Sequence, residues 1–325
     1  MTYKFVNKIF DNQISFEDKA LELFQYQYKN NTVYAAWCDA LRVMPSSVKD
    51  IHQIPFLPIS FFKTHIIQTG AFVPEIIFES SGTTQTTSSK HYTRSAELYR
   101  ESFRRGFQLH YGNISEYCIL ALLPSYLERN NSSLIFMTDD LIKQSGHEKS
   151  GYYLYNFDEL KNTLELLEAS GQKTILIGVS FALLDFAEKH TMNLQNTIVM
   201  ETGGMKGRKK EITRNEVHEF LQGRLGVGEI HSEYGMTELL SQAYSAGNGL
   251  YNPVPWMKVL VRDDEDPLSI SFSGGGVLNV IDLANMHSCA FIATDDVGRV
   301  YENGSFDVKG RLDISDIRGC SLLVI

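Results

Sequence analysis

Two wholly apolar runs, Tyr117 to Leu123 (YCILALL) and Thr174 to Val179 (TILIGV), constrain this chain more than any other feature. A run without polar alternation cannot rest one face in water. Each therefore reads as a strand covered on both sides, which is the condition of a parallel sheet between helix layers. The neighbouring segments have the complementary period. Phe157 to Glu168 sets Phe157, Leu160, Leu164 and Leu167 on one helical face. Further helices are expected at Ser95 to Leu109, at Phe181 to His190, and from the Thr213/Glu216 capping-box pattern to Leu225. Strands are expected at Val73 to Ser80 and Asn196 to Met200, behind a helical N-terminal region. The alternation predicts an α/β architecture with a largely parallel sheet.

From about Ser241 the texture changes to short strands, Met257 to Val261 and Gly276 to Ile281, with a hairpin expected around Asn303-Gly304. The chain thus divides into an α/β region, 1–240, and a smaller β-rich subdomain, 241–325, whose junction is the natural place for a cleft. A formal net charge of −9 repels nucleic acid and anionic lipid, so any nucleotide must be held by local groups. The opening MTYKFVNKIFDNQISFEDKA has no apolar run long enough for a signal peptide or membrane span, so a soluble, cytoplasmic protein is expected. Cys38, Cys118, Cys289 and Cys320 lie far apart, with no CxxC pair and no Cys/His metal spacing, which suits a reducing compartment where lone thiols are filler or chemistry.

The chemistry-bearing segments lie between these elements. Ser80-Ser81-Gly82-Thr83-Thr84-Gln85-Thr86-Thr87-Ser88-Ser89-Lys90 combines a glycine that lets backbone approach an anion, hydroxyl and amide donors, and a lysine charge. The same composition describes a solvated Ser/Thr loop, and the GxxxxGK[ST] spacing of a P-loop is missing. Gly203 and Gly204 follow a strand, where backbone passes close to a flat group such as adenine or simply turns. Tyr234-Gly235-Met236-Thr237-Glu238 offers a carboxylate able to hold Mg²⁺ against phosphate charge, or else a turn with an exposed acid. Thr294-Asp295-Asp296-Val297-Gly298-Arg299 and Gly310-Arg311-Leu312-Asp313 follow downstream.

Four of these segments, in this order, resemble the motifs of the adenylate-forming superfamily of acyl-CoA synthetases, luciferases and peptide-synthetase adenylation domains. SSGTT is similar to its phosphate loop, Tyr234 to Glu238 to its Tyr-Gly-x-Thr-Glu motif, Thr294 to Asp296 to its Thr-Gly-Asp motif, and Gly310 to Asp313 to its Gly-Arg-x-Asp hinge. The resemblance implies the fold of that superfamily's N-terminal domain, with ATP and Mg²⁺ as cofactors. It places Ser80, Ser81, Gly82, Thr83 and Thr84 on phosphate with Lys90 nearby. Tyr234 would stack near the adenine and Thr237 touch the α-phosphate, with Gly235 and Met236 of the same motif also binding the nucleotide and Gly203 and Gly204 just before it. Glu238 would hold Mg²⁺, Asp296 the ribose hydroxyls, and Arg311 a second ribose or phosphate contact. Gln85 stands where a glycine usually follows, Lys90 comes later than the family's lysine, and Asp295 replaces the glycine of Thr-Gly-Asp.

Most of the superfamily continues into a domain that supplies a catalytic lysine, whereas this sequence stops at Ile325. LuxE-type acyl-protein synthetases share the motifs, end similarly and carry an acyl-accepting cysteine near the C-terminus, where this chain has Arg318-Gly319-Cys320-Ser321. The segment Ile54 to Lys63 (IPFLPISFFK) also looks like that group and is given no role. This resemblance implies a ligase that activates a carboxylic acid, a fatty acid in that group. The acyl group would pass to Cys320 and then to a partner reductase, with coenzyme A or a carrier protein as alternative acceptors. Independently of the resemblance, a thiol in a hinge-like tail can move, and Arg311 and Arg318 favour its thiolate, which at an ordinary pKa of about 8.5 is only a few per cent of the thiol at pH 7. Cys38, Cys118 and Cys289 read as core filler.

Two other readings belong to different classes. Gly178-Val179-Ser180-Phe181-Ala182 leaves a strand and opens a helix as a hydrolase nucleophile elbow does, although Ala182 replaces the second glycine, and His218, His231 and His287 are the available bases. A non-catalytic relative that binds nucleotide or carrier protein without turnover is the second.

Overall fold

The computed structural model describes residues 2–80, 88–123, 131–154, 156–203 and 213–312. Ser81, Gly82, Thr83, Thr84, Gly204 and Cys320 lie outside the described residues.

The apolar runs form the centre of a seven-stranded sheet. Its order is Asn252–Pro253, Ala243–Ser245, Ile230–Tyr234, Thr197–Thr202, Thr174–Val179, Cys118–Leu122, Gly151–Tyr152. The five strands from Ile230–Tyr234 to Gly151–Tyr152 are parallel and the remaining two antiparallel. Every residue of Cys118–Leu122 and Thr174–Val179 is buried, as two-sided cover requires. With the right-handed crossovers that parallel strands take, this strand order sets the Ser133–Ser145 helix on one face and the helices Phe157–Ser170, Ser180–Lys189 and Arg214–Leu225 on the other.

The helices begin where side chains satisfy their first amide groups. Ser95 caps Ala96–Tyr111, Asn156 caps Phe157–Ser170, and Thr213 with Glu216 closes a full capping box on Arg214–Leu225. Ser133–Ser145 has no counterpart among the expected helices. Its buried face includes Ser133, Thr138 and Ser145, while Leu134, Ile135 and Phe136 are only half-buried, so its apolar period is blurred. The expected strand from Val73 starts later, at Ile76, because Val73 is 91% exposed ahead of Pro74. It pairs with Lys90–Thr93 as a separate two-stranded hairpin.

A second, six-stranded sheet is built from Met257–Arg262, Ile270–Ser271, Gly274–Asp282, Phe291–Val300 and Phe306–Arg311, all antiparallel, with the hairpin turn at Gly304 in the left-handed region (φ 84°). Its sixth strand comes from far upstream: Leu57–Pro58 lies parallel to Phe291–Val300, with Leu57 opposite Ile292 and Pro58 opposite Ala293. An edge position suits Pro58, which has no amide hydrogen to give. The Phe16–Asn30 helix packs on the same sheet through Gln27, whose amide donates to the carbonyls of Asn285 and Met286 and accepts from the Ala290 amide. Among the described residues no helix is long and apolar enough to cross a membrane.

Candidate active site

The three central parallel strands end together at Val179, Thr202 and Tyr234, and the residues that follow them, Ser180, Gly203 and Gly235 to Glu238, crowd the carboxyl edge where open α/β sheets bind ligands. Gly203 has φ 70°, a conformation that favours glycine, and a side chain at Gly235 would collide with the Glu233 carboxyl. Gly203 is thus favoured by its backbone conformation and Gly235 by the buried Glu233 side chain beside it.

The second sheet pins the Thr237 to Ser241 turn from outside. Asp282 is fully buried and accepts from the amides of Leu240 and Ser241 and from the Ser241 hydroxyl; burial lifts it to about 6 and these donors oppose the rise. Asn285 donates to the Glu238 carbonyl at 2.7 Å. His91 completes the clamp, with Nδ1 2.9 Å from the Thr237 carbonyl and Nε2 2.9 Å from the Ser288 hydroxyl. A carbonyl only accepts, so Nδ1 carries the proton and Nε2 accepts from Ser288. Burial lowers His91 to about 4, which keeps that neutral tautomer at neutral pH.

The turn held in this way presents Glu238, which is 5% exposed. Burial raises its carboxyl above the ordinary range, opposed by a Ser89 hydrogen bond and by the charges of Arg311 and Lys63. Across the junction, Asp296 on the Phe291–Val300 strand accepts from the Tyr234 hydroxyl at 2.8 Å and from Arg311 Nε at 2.8 Å. Tyr234 is buried with its ring against Phe306 and Tyr251. A carboxylate has about four acceptor positions, so Asp296 retains capacity for two further donors such as vicinal hydroxyls. Thr237 and Met236 are half-buried beside it. Tyr234, Glu238, Asp296 and Arg311, which come from three separate motif segments, thus share one site.

Lys90 and Ser80 stand at the base of the hairpin that leads into the loop. Ser80 and Ser89 exchange backbone and hydroxyl bonds, and Lys90 lies 3.5 Å from Glu79 across the strand pair. The Ser180 hydroxyl donates to Glu201 and to the Gly203 carbonyl, both at 2.9 Å, and among the described residues it meets no imidazole. A nucleophile needs a base that takes its proton, so the elbow reading loses its geometry here. Glu201 gathers two further donors, Ser232 at 3.2 Å and Arg214 Nε at 3.1 Å, and His218 Nε2 lies at an ion-pair distance of 3.2 Å. Arg214 also donates to the Val308 carbonyl and covers the Tyr251 ring, which joins the parallel sheet to the strand that carries Arg311. Sequence reasoning missed Glu201, Arg214, His91 and Lys63. For Glu201 the signal was a charged residue in an otherwise apolar strand, VMET.

The remaining cysteines are inert. Burial pushes Cys38 to about 12, Cys118 to about 11 and Cys289 higher still.

No three His, Cys, Asp or Glu side chains converge on one point among the described residues, so a cation here would rest on Glu238 and the phosphates of a bound nucleotide. A buried carboxylate whose charge is disfavoured suits that role.

The sequence matches the acyl-protein synthetase (LuxE) family over residues 8–324. The chain belongs to the LuxE acyl-protein synthetase family. A family relative, the long-chain-fatty-acid–luciferin-component ligase of Vibrio harveyi, is 22% identical over 321 residues, covering 92% of this chain and 84% of the relative. Among solved structures, ATP-bound MatB from Rhodopseudomonas palustris superposes with a TM-score of 0.53 at 15% identity, over 74% of this chain and 49% of MatB. O-succinylbenzoate coenzyme A synthetase (MenE) from Bacillus subtilis, in complex with ATP and magnesium, gives 0.52 at 16% identity, over 74% and 51%. The chain spans about half the length of these solved proteins. Its fold is that of the N-terminal domain of adenylate-forming enzymes, as the motifs led one to expect.

Proposed function

We propose that this chain is a cytoplasmic ligase that uses ATP to convert a carboxylic acid, a fatty acid by analogy with the Vibrio harveyi relative, into an acyl-adenylate and then passes the acyl group to a thiol. The observation that carries this reading is the meeting of Glu238 with the Tyr234, Asp296 and Arg311 cluster at the carboxyl edge of the parallel sheet. Asp296, oriented by Tyr234 and Arg311, accepts from the ribose hydroxyls, and Gly203 with Gly204 leaves room for the adenine. The Ser80 to Thr84 loop, Thr237 and Lys90 lie about the phosphates. Glu238 holds Mg²⁺, which supplies charge neutralisation where a substrate carboxylate approaches phosphate. A carboxylate oxygen bonds to the α-phosphorus, the α–β bridge breaks and pyrophosphate leaves. The Cys320 sulfur then bonds to the acyl carbon and AMP departs with the displaced oxygen, leaving a thioester for a partner reductase. Coenzyme A or a carrier-protein thiol is the alternative acceptor for the second step.

Exchange of labelled pyrophosphate into ATP, screened over fatty, aryl and short acids, tests the first step. Glu238→Gln should lower the exchange rate by about 100-fold with the thermal midpoint little changed. Unaltered exchange in folded Glu238→Gln protein would remove Glu238 from the site. With ATP and a labelled acid, a hydroxylamine-sensitive adduct should form on Cys320 and vanish in Cys320→Ser, which keeps exchange. A label on another cysteine, or none with label appearing on added coenzyme A, refutes the tail thioester.

A further inference from the structure

Lys63 belongs to the segment Ile54 to Lys63, which has so far been given no part in holding a ligand. The chain there leaves its edge strand parallel to Phe291–Val300, with Pro58 opposite Ala293 and the Ile59 amide donating to the Ala293 carbonyl at 2.9 Å. Parallel pairing sends residues 59 onward in the direction of Asp296, three positions further along that strand, or roughly 10 Å at strand rise. The Phe61–Thr64 turn of helix then docks by Phe62, fully buried, whose ring meets that of His91 edge to face at 5.9 Å. His91 is the residue that holds the Thr237 carbonyl. The short helix is thus tied on one side to the strand carrying Asp296 and on the other to the turn carrying Thr237 and Glu238.

Between these anchors Lys63 is exposed, and its charge is felt at Glu238. Among the described residues no carboxylate pairs with it. Lys90, by contrast, faces Glu79 across the hairpin and has an acidic partner already. A flexible stem bearing a compact, strongly hydrated charge, based on a fixed turn beside a carboxylate suited to Mg²⁺, matches the needs of a polyphosphate, whose several negative charges exceed what one cation offsets.

We propose that the Lys63 ammonium binds the β- and γ-phosphates of the nucleoside triphosphate, and so the pyrophosphate that departs. This rests on the nucleotide-site reading of Glu238 and Asp296. It makes the N-terminal segment part of the active site and supplies from within this chain a cation for the leaving group.

Calorimetric titration separates the two ideas. Lys63→Ala should weaken MgATP binding by about tenfold or more while AMP, which lacks both outer phosphates, binds within about twofold of the parent; Lys63→Arg should recover most of the loss. Asp296→Ala serves as the control and should weaken ATP and AMP alike. If Asp296→Ala weakens both and Lys63→Ala weakens neither, or weakens both equally, the Lys63 assignment is wrong and the nucleotide site stands. If Asp296→Ala changes neither, the site reading fails and this inference goes with it. Lys63 is exposed, so the two Lys63 variants should keep the parent's thermal midpoint.

Discussion

Glu201 and Glu233 lie on adjacent parallel strands of one sheet, in a register that sets Glu201 beside Ser232 and Thr202 beside Glu233. Strand alternation turns them to opposite faces. Glu201 looks toward the Arg214–Leu225 helix and collects Ser180, Ser232, Arg214 and His218. Burial works against its charge, but the His218 and Arg214 charges and these hydrogen bonds prevail, and Glu201 titrates below the ordinary carboxylate value of 4.5. Glu233 looks into a small apolar cavity walled by Phe107, Met137, Leu141, Met200 and Tyr244, and Thr202 is its hydrogen-bond donor at 2.6 Å. There burial wins and the carboxyl is lifted to about 7. Equal burial with unequal donors yields one fixed anion and one acid that is half neutral near physiological pH.

The comparison breaks most visibly at Glu201. Glu201→Gln leaves Arg214 and His218 around a neutral amide and should cost about 4 kcal/mol at pH 7, read from urea midpoints. The part of the parent's stability that comes from its depressed carboxyl is complete above pH 4.5 and is lost as pH falls through the folded value. The variant should lose little in that window, and a parallel acid loss in both proteins would show that Glu201 is not the group responsible.

Glu233→Gln should act with the opposite sign. The folded parent holds its proton up to about pH 7 and the unfolded chain only to about 4.5, so its stability falls as pH rises between those values. Replacing the carboxyl by an amide should therefore stabilise the fold by about 3 kcal/mol at pH 8 and by almost nothing at pH 4. Thermal midpoints that move equally at both pH values would mean that Glu233 titrates alike in the folded and unfolded chains.

Ser180→Ala is the smallest perturbation, because Glu201 keeps the Ser232 and Arg214 donors and the nearby His218. A loss of about 1 kcal/mol with acid-dependent pyrophosphate exchange intact is expected. Exchange abolished by this substitution would restore a chemical role to Ser180.

The elements that were legible in the sequence are those with local causes. The YCILALL and TILIGV runs, the Thr213/Glu216 box and the Asn303-Gly304 turn each declare themselves within a few residues. Of the four motif segments the phosphate loop lies largely outside the described residues, while residues of the other three, Tyr234, Glu238, Asp296 and Arg311, are brought together. What escaped depends on contacts that sequence distance hides. His91 reads as one more polar residue after a Ser/Thr loop until the Thr237 carbonyl, 146 positions away, supplies its partner. Lys63 has meaning only once Leu57 and Pro58 are seen beside Ile292 and Ala293. Arg214 looks like an ordinary first-turn residue until it meets Glu201 and the Val308 carbonyl.

That same pairing of Leu57–Pro58 with Ile292–Ala293 governs when the protein can become competent during synthesis. The edge strand leaves the ribosome long before the strand it must lie against, and in the interval it has no ladder to join. A nascent chain can close the parallel sheet early, since its strands follow one another through short crossovers, but it cannot seat the helix bearing Lys63 until the second sheet exists. Until then the unpaired segment, rich in Ile, Phe and Pro, is a natural client for a holding chaperone, and a pause in translation before Phe291 should lengthen that dependence.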